Sequence, residues 1–293
     1  MTHAQALSDS LAAAVEQGGR FVVTVDARGR QPASGIIWSA EGEILTADHV
    51  VQRDENITVT LPDGKQHTAA VVGRDPASDL ALLKIEANGL AAAEFAEDVK
   101  VGNIVFAVGR PDDLQAALGN VVALGGPVRG RHRNFAAYIQ SDVTMYPGFS
   151  GGPLVDASGR VAGLNSSALA RGASLAIPVG VLRTVAEALR RDGRVKRGFL
   201  GVSTQPVALA EGVAASLGQA TGLMIIGTEK DGPADKGGLL QGDVIVALGG
   251  QAVADIDDLQ TALAGATVGQ PATVKVVRGG EVKEIGVTIG VRQ

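Results

Sequence analysis

The chain has 293 residues, a net charge of −5, 45% apolar and 19% charged residues, and no cysteine. That length favours two domains, and the lack of cysteine excludes disulfides and thiolate metal sites. An acidic balance without a long basic run argues against nucleic acid as the main partner.

Aromatic residues make up only 3%, so Val, Ile, Leu and Ala must fill the cores. The 40 glycines point to many turns between short strands. No apolar stretch is long enough to span a bilayer. The start, Met1-Thr2-His3-Ala4-Gln5, has no basic segment leading into an apolar one. As written, the expectation is a cytoplasmic protein; a trimmed export signal would make it periplasmic or extracytoplasmic.

Residues 2–17 read as a helix. Thr2 with Gln5 resembles a capping box, Ala4, Leu7, Leu11, Ala14 and Val15 share one face, and Gly18-Gly19 ends it. From Phe21 the period becomes strand-like. Strands are expected at 21–25, 35–39, 43–46, 57–61 and 80–85, then at 104–108, 119–124, 138–141, 153–155 and 160–165. Glu41-Gly42, Pro62-Asp63-Gly64 and Asp156-Ala157-Ser158-Gly159 are turn signals between them. Short strands without intervening helices predict a sandwich or barrel. Val181, Leu182, Val185, Ala188 and Leu189 then have helical spacing, closed by Asp192-Gly193. The charged run over 190–197 marks a boundary, giving domains 1–193 and 194–293. In the second, strands are expected near 200–203, 222–228, 243–248, 272–277 and 282–289. Asp255 caps a helix with an apolar stripe of Ile256, Leu259 and Leu263.

The stretch with the clearest chemistry is Pro147-Gly148-Phe149-Ser150-Gly151-Gly152-Pro153. Gly148 lets the backbone turn, so that its N–H and that of Ser150 point into one small space beside the Ser150 hydroxyl. An oxyanion hole requires that arrangement; an ordinary Gly-rich turn before a strand has the same composition. Among His3, His49, His67 and His132, His49 stands at the end of the apolar strand Ile44-Leu45-Thr46-Ala47. Asp79 stands just before another, Leu80-Ala81-Leu82-Leu83. Either alone reads as structural. Together with Ser150 they supply a nucleophile, a base to activate it and a group to orient the base.

With these three motifs in the order His, Asp, Ser, the sequence resembles the HtrA/Deg family of trypsin-fold serine proteases. Thr46-Ala47-Asp48-His49-Val50-Val51 is similar to that family's histidine motif, Asp79-Leu80-Ala81-Leu82-Leu83 to its aspartate motif, and Phe149-Ser150-Gly151-Gly152-Pro153-Leu154 to its serine motif. Tyr138-Ile139-Gln140-Ser141-Asp142 and Arg197-Gly198-Phe199-Leu200-Gly201-Val202 also look like the family. The resemblance runs from about Phe21 to the end. It implies a mainly β protein, a trypsin-like double β-barrel followed by a small α+β PDZ domain. His49 would be general base and acid, Asp79 its orienter and Ser150 the nucleophile. Gly148, Phe149 and Ser150 would form the oxyanion hole. Thr144 and Met145 would lie near the pocket for the residue before the scissile bond, and Asn165, Ser166 and Ser167 would pair with substrate. In the PDZ domain Phe199, Leu200, Gly201, Val202 and Leu259 would bind a C-terminal peptide.

The implied activity is an endopeptidase degrading unfolded or damaged proteins, in protein quality control, with no metal or organic cofactor. Its partners would be protein or peptide substrates and further copies of itself, a trimer, with no nucleic acid and no membrane span. A latent PDZ adaptor or chaperone-like binding protein is the alternative. Two departures stand out. Asp48 replaces the family's alanine and is expected to face solvent. Phe149 replaces its asparagine, where digestive trypsin-like enzymes have the aspartate that pairs with a new N-terminus, so activation of that kind is not expected.

Overall fold

The computed structural model describes residues 2–29, 31–126, 128–130, 133–135, 137–169, 172–265 and 268–291. They form two compact units, Met1–Val195 and Lys196–Gln293.

The first unit opens with helix α1 (His3–Gly19), capped where Thr2 Oγ1 accepts the Gln5 N–H at 3.2 Å. Only its last turns are packed: Ala14, Gly18 and Gly19 are buried, while Leu7 is 59% exposed. The helix therefore continues through the two glycines expected to end it. Gly19 packs against Leu114: a Cβ there would come within 2.7 Å of the end of that side chain, which would have to shift.

Six strands follow: β1 (Val22–Asp26), β2 (Ala33–Ile37), β3 (Glu43–Ala47), β4 (Ile57–Thr60), β5 (Gln66–Asp75) and β6 (Leu80–Ile85). They close into a barrel in the order β1-β2-β3-β6-β5-β4. A second set is β7 (Ile104–Gly109), β8 (Gln115–Gly125), the hairpin β9 (Val128–Gly130) and β10 (Arg133–Phe135), β11 (Tyr138–Ser141), β12 (Pro153–Asp156), β13 (Val161–Ser166) and β14 (Ser174–Pro178). Without the hairpin these close into another barrel, β7-β8-β11-β14-β13-β12. Inward aliphatic residues fill both, Ile36, Leu45 and Leu82 in the first, Val105, Ile139 and Leu154 in the second. Each such side chain contributes about 1.5–3 kcal/mol on burial. Helix α2 (Val179–Asp192) buries Leu182, Val185, Ala186 and Leu189 and ends at left-handed Gly193.

The second unit contains β15 (Gly198–Phe199), β16 (Val202–Ala208), α3 (Glu211–Leu217), β17 (Thr221–Thr228), α4 (Pro233–Gly237), β18 (Val244–Leu248), β19 (Gln251–Ala252), α5 (Ile256–Gly265), β20 (Pro271–Arg278), β21 (Glu281–Thr288) and β22 (Gly290–Val291). The main sheet runs β16-β17-β18-β20-β21, which leaves β16 at an edge. Asp255 Oδ1 accepts the Asp258 N–H at 2.9 Å and starts α5. Leu259 is 3% exposed within the core, whereas Leu263 is only partly buried.

Candidate active site

The first barrel supplies an imidazole and a carboxylate. After β3 the chain makes one 3-10 turn, Asp48–Val50, which carries His49. The turn before β6 is tied by Asp75, whose Oδ2 accepts from the Ser78 hydroxyl at 2.5 Å and its N–H at 3.2 Å. Asp79 follows with φ 57°, a conformation that Asp tolerates better than most residues.

Asp79 is 1% exposed and fully engaged. Its Oδ2 and Oδ1 lie 2.9 and 3.0 Å from His49 Nδ1. Oδ1 also accepts the His49 N–H at 3.0 Å, and the Ser166 hydroxyl donates to Oδ2. The Asp79 carbonyl accepts the Asp48 N–H at 3.0 Å. A carboxylate that accepts a hydrogen bond from Nδ1–H keeps the proton on that nitrogen and leaves Nε2 with a lone pair, the tautomer a general base needs.

The second barrel supplies a hydroxyl on a tight loop. Gly148 and Gly151 have φ 90° and 86°. A Cβ on Gly151 would lie 2.1 Å from the Ser34 carbonyl oxygen, so only glycine fits. Phe149 N–H donates to Tyr146 O at 3.1 Å, Gly152 N–H to Phe149 O at 3.0 Å and Gly151 N–H to Asn165 O at 2.9 Å. Among the described residues the Gly148 and Ser150 N–H groups have no acceptor. Two unspent donors flanking a serine suit an oxyanion. Ser150 Oγ lies 2.9 Å from Ser167 Oγ and accepts the Ser167 N–H at 3.3 Å. Among the described residues no hydrogen bond joins His49 to Ser150.

The expected role of Phe149 changes. Phe149 supplies no donor to the hole, because its N–H is spent on Tyr146. Its ring is fully buried in the second core, edge-on to Tyr146 with centroids 5.6 Å apart. Asn165 is buried: its Nδ2 donates to Pro153 O at 2.7 Å and its main chain bonds Gly151 and Gly152. Ser166 is buried, and its hydroxyl donates to Asp79. Ser167 is exposed beside Ser150. Thr144 is exposed, and Met145 packs partly against the second core.

Asp48 is not solvated but 7% exposed, held by Arg74 Nε at 2.7 Å. Arg74 also donates to Val51 O at 2.6 Å and Asp54 Oδ1 at 3.0 Å. Burial works against its cation, yet the bonds to Asp48 and Asp54 win and raise its pKa. The roles of Arg74, Ser34 and Ser166 escaped the sequence reading. For Ser34 the available signal was a hydroxyl inside the apolar run of β2.

In the second unit Gly201 has φ 75°. Leu200 O accepts the Ala234 N–H at 2.8 Å and Gly201 O the Glu229 N–H at 2.9 Å. The N–H groups of Leu200 and Gly201 have no acceptor among the described residues. Phe199 pairs with Gly290, and Val202 begins the edge strand β16.

Two closed six-stranded barrels, with a buried Asp–His pair from one and a glycine-flanked serine from the other, define a trypsin-like peptidase fold. Residues 33–164 match the trypsin-like peptidase domain family and residues 198–289 the PDZ domain family. "Probable periplasmic serine endoprotease DegP-like" of Ectopseudomonas mendocina (strain ymp) is 39% identical over 269 residues, 88% of this chain and 56% of the relative. The same-named protein of Chlamydia trachomatis serovar D is 36% identical over 264 residues, 87% of this chain and 53% of the relative. This chain thus spans about half the length of the curated relatives it matches. The solved structure "HtrA-type protease AlgW with decapeptide" superposes with a TM-score of 0.81 at 30% identity, covering 97% of this chain and 99% of that one. A serine endoprotease from Yersinia pestis gives 0.79 at 29% identity, covering 97% and 98%. The chain belongs to the HtrA-type serine protease family. These relatives are named periplasmic, so the expectation of a cytoplasmic location finds no support. No helix among the described residues is long and apolar enough to cross a membrane.

Proposed function

We propose that the chain is a serine endopeptidase of protein quality control, with residues 1–193 as the peptidase domain and 194–293 as the PDZ domain. The observation that carries this is the buried Asp79 carboxylate holding His49 Nδ1 at 2.9 and 3.0 Å. With Nδ1 so held, His49 Nε2 takes the proton of Ser150 as its Oγ attacks the scissile carbonyl. The tetrahedral oxygen settles on the Gly148 and Ser150 N–H groups, each donor being worth about 10²–10³ in rate. His49 then protonates the leaving amine, and water hydrolyses the acyl-enzyme. Substrates are unfolded or damaged chains, cut after apolar residues near Thr144 and Met145. Trimeric assembly and a periplasmic location are part of this reading.

The test is denatured casein with a fluorophosphonate alongside. Cleavage and labelling at Ser150 are expected, both lost in Ser150→Ala; casein cleaved normally by that variant rules the reading out.

The PDZ domain binds apolar C-terminal peptides. The Leu200 and Gly201 N–H groups receive the carboxylate, the peptide adds beside β16, and its last side chain lies toward Leu259. Affinity is micromolar, on the order of −8 kcal/mol. A peptide ending in valine must bind full-length protein more tightly than its amide; equal affinity removes the carboxylate loop.

One observation favours the second reading, a latent adaptor or chaperone-like form: Ser150 Oγ is bonded to Ser167 rather than to His49. Casein bound but not cleaved, with Ser150 unlabelled, would select it.

A further inference from the structure

Ser34 lies on β2 of the first barrel and is fully buried. A buried hydroxyl must find partners or cost stability, and this one finds them in the loop that carries Ser150. Its Oγ is 2.8 Å from Gly148 O and 2.8 Å from the Arg110 N. The Arg110 N–H only donates and the Gly148 carbonyl only accepts, so the direction of the hydroxyl proton is fixed: Ser34 donates to Gly148. The Ser34 N–H donates in addition to Ser150 O at 3.2 Å. Ser34 thereby grips the carbonyls of both residues whose N–H groups are unspent.

The grip is itself braced. Thr46 Oγ1 donates to Ser34 O at 2.7 Å and Thr24 Oγ1 to Arg110 O at 2.6 Å. The Arg110 guanidinium donates to Val22 O at 2.9 Å and Gly19 O at 3.0 Å.

We propose that Ser34 is a positioning residue for the oxyanion hole, acting through the Gly148 carbonyl; this rests on the peptidase reading above. The Gly148–Phe149 peptide is pinned at both ends, by Ser34 on its oxygen and Tyr146 on its N–H. With that peptide fixed, the direction of the Gly148 N–H depends on the torsions of Gly148 alone, which sit at φ 90°. Glycine explores more of φ, ψ space than any other residue. Without the Ser34 bond the Gly148 donor samples directions away from the reacting oxygen. Substrate binding, which precedes formation of that oxygen, is untouched.

The experiment compares wild type with Ser34→Ala and the near-isosteric Ser34→Cys, a weak donor, in the full chain. A chromogenic peptide with an apolar residue before the cut reports turnover, and a peptide boronate, which forms a tetrahedral adduct on Ser150, reports the hole. Both variants are expected to lose about 10–100-fold in kcat, less than deletion of a donor, with KM within about twofold. Boronate affinity falls by the same factor, with unchanged melting of Ser34→Cys. Variants with wild-type kcat overturn the role of Ser34, as does a rise in KM at constant kcat. Loss of the fold in both makes Ser34 a packing residue and overturns it too. A wild type that neither turns over nor accepts fluorophosphonate removes the peptidase reading itself.

Discussion

The two barrels of residues 1–195 have one topology and different chemistry. Numbered within each barrel, the strand order is 1-2-3-6-5-4 in both. In the first, the connection from third to fourth strand carries His49 and that from fifth to sixth carries Asp79. In the second, the third-to-fourth connection carries Ser150, while the end of the fifth strand and its exit carry Ser166 and Ser167. Matching corners therefore meet, and each barrel satisfies polar groups of the other. Ser166 of the second donates to Asp79 of the first, and Ser34 of the first holds Gly148 and Ser150 of the second. The difference lies in backbone demand. His49 sits on a short 3-10 turn without positive φ, whereas Ser150 stands between two left-handed glycines. A base needs an oriented side chain; a nucleophile beside free N–H groups needs a special main chain.

The comparison breaks most severely if the two proposed partners are separable. Ser150→Ala and His49→Ala should each lower kcat at least about 10⁴-fold, with unchanged circular dichroism. A much smaller loss in either, measured on casein or a chromogenic peptide, would mean the matching corners do not act as one site.

The cross-brace at Asp79 is tested next. Asp79→Asn should cost about 10³–10⁴ in kcat by reversing the tautomer preference of His49. Ser166→Ala should cost about tenfold and lower the melting temperature, since it strips one donor from a buried carboxylate. Equal losses in the two would place Ser166 in the chemistry itself.

A smaller effect sharpens the second barrel's corner. Ser167→Ala removes the 2.9 Å side-chain bond to Ser150 Oγ and keeps the longer one from the Ser167 N–H. A hydrogen bond of about 0.5–1.5 kcal/mol corresponds to roughly 2–10-fold, so fluorophosphonate labelling of Ser150 should accelerate by that factor. Slower labelling would make Ser167 a helper of the nucleophile rather than a competitor for it.

What the sequence disclosed follows the same division between side chain and main chain. Runs such as Leu80-Ala81-Leu82-Leu83 are buried on both faces and were readable as strands. β5 was not, because Gln66, His67 and Thr68 present polar, largely exposed faces and only three of its ten residues are buried. β14 (Ser174–Pro178) was missed too: its apolar part is only Leu175-Ala176-Ile177, and it runs straight into the helix α2 that begins at Val179. The residues of the Asp–His–Ser set were legible because their types and local motifs are distinctive. Their braces were not: Ser34, Arg74 and Ser166 work through contacts 20 to 114 positions away in the chain. Asp48 shows the limit well. Its place beside His49 suggested a solvated residue, and its actual partner lies on β5, the strand that went unseen. Asp48→Ala should therefore destabilise the protein by about 1–2 kcal/mol through the half-stranded Arg74 and leave the pH–rate profile superimposable on wild type. A displaced profile would show that the carboxylate is felt by His49.

The smallest expected effect concerns the helix that straps the barrels together. α2 packs on β5 and β6 of the first and on β13 and β14 of the second, and its Arg190 grips Glu43 at the start of β3 with two bonds of 2.6 Å. The Arg190 hydrogen bond holds the Glu43 carboxyl below its usual range, against the opposing pull of burial. Because the folded-state pKa is the lower one, the stabilisation is complete above the unfolded value, about 4.3, and disappears as pH falls through the folded value. Arg190 is 48% exposed, so solvent screening limits the pair to about 0.5–1 kcal/mol. Glu43→Gln should then melt about 1–3 °C below wild type at pH 7, and the gap should narrow as the pH falls below the unfolded value and through the lower folded one. A gap that stays constant across that range would mean the side chain contributes by shape rather than charge. The strap would then rest on Leu182, Val185, Ala186 and Leu189 alone, and the first barrel would hold the helix no differently from the second.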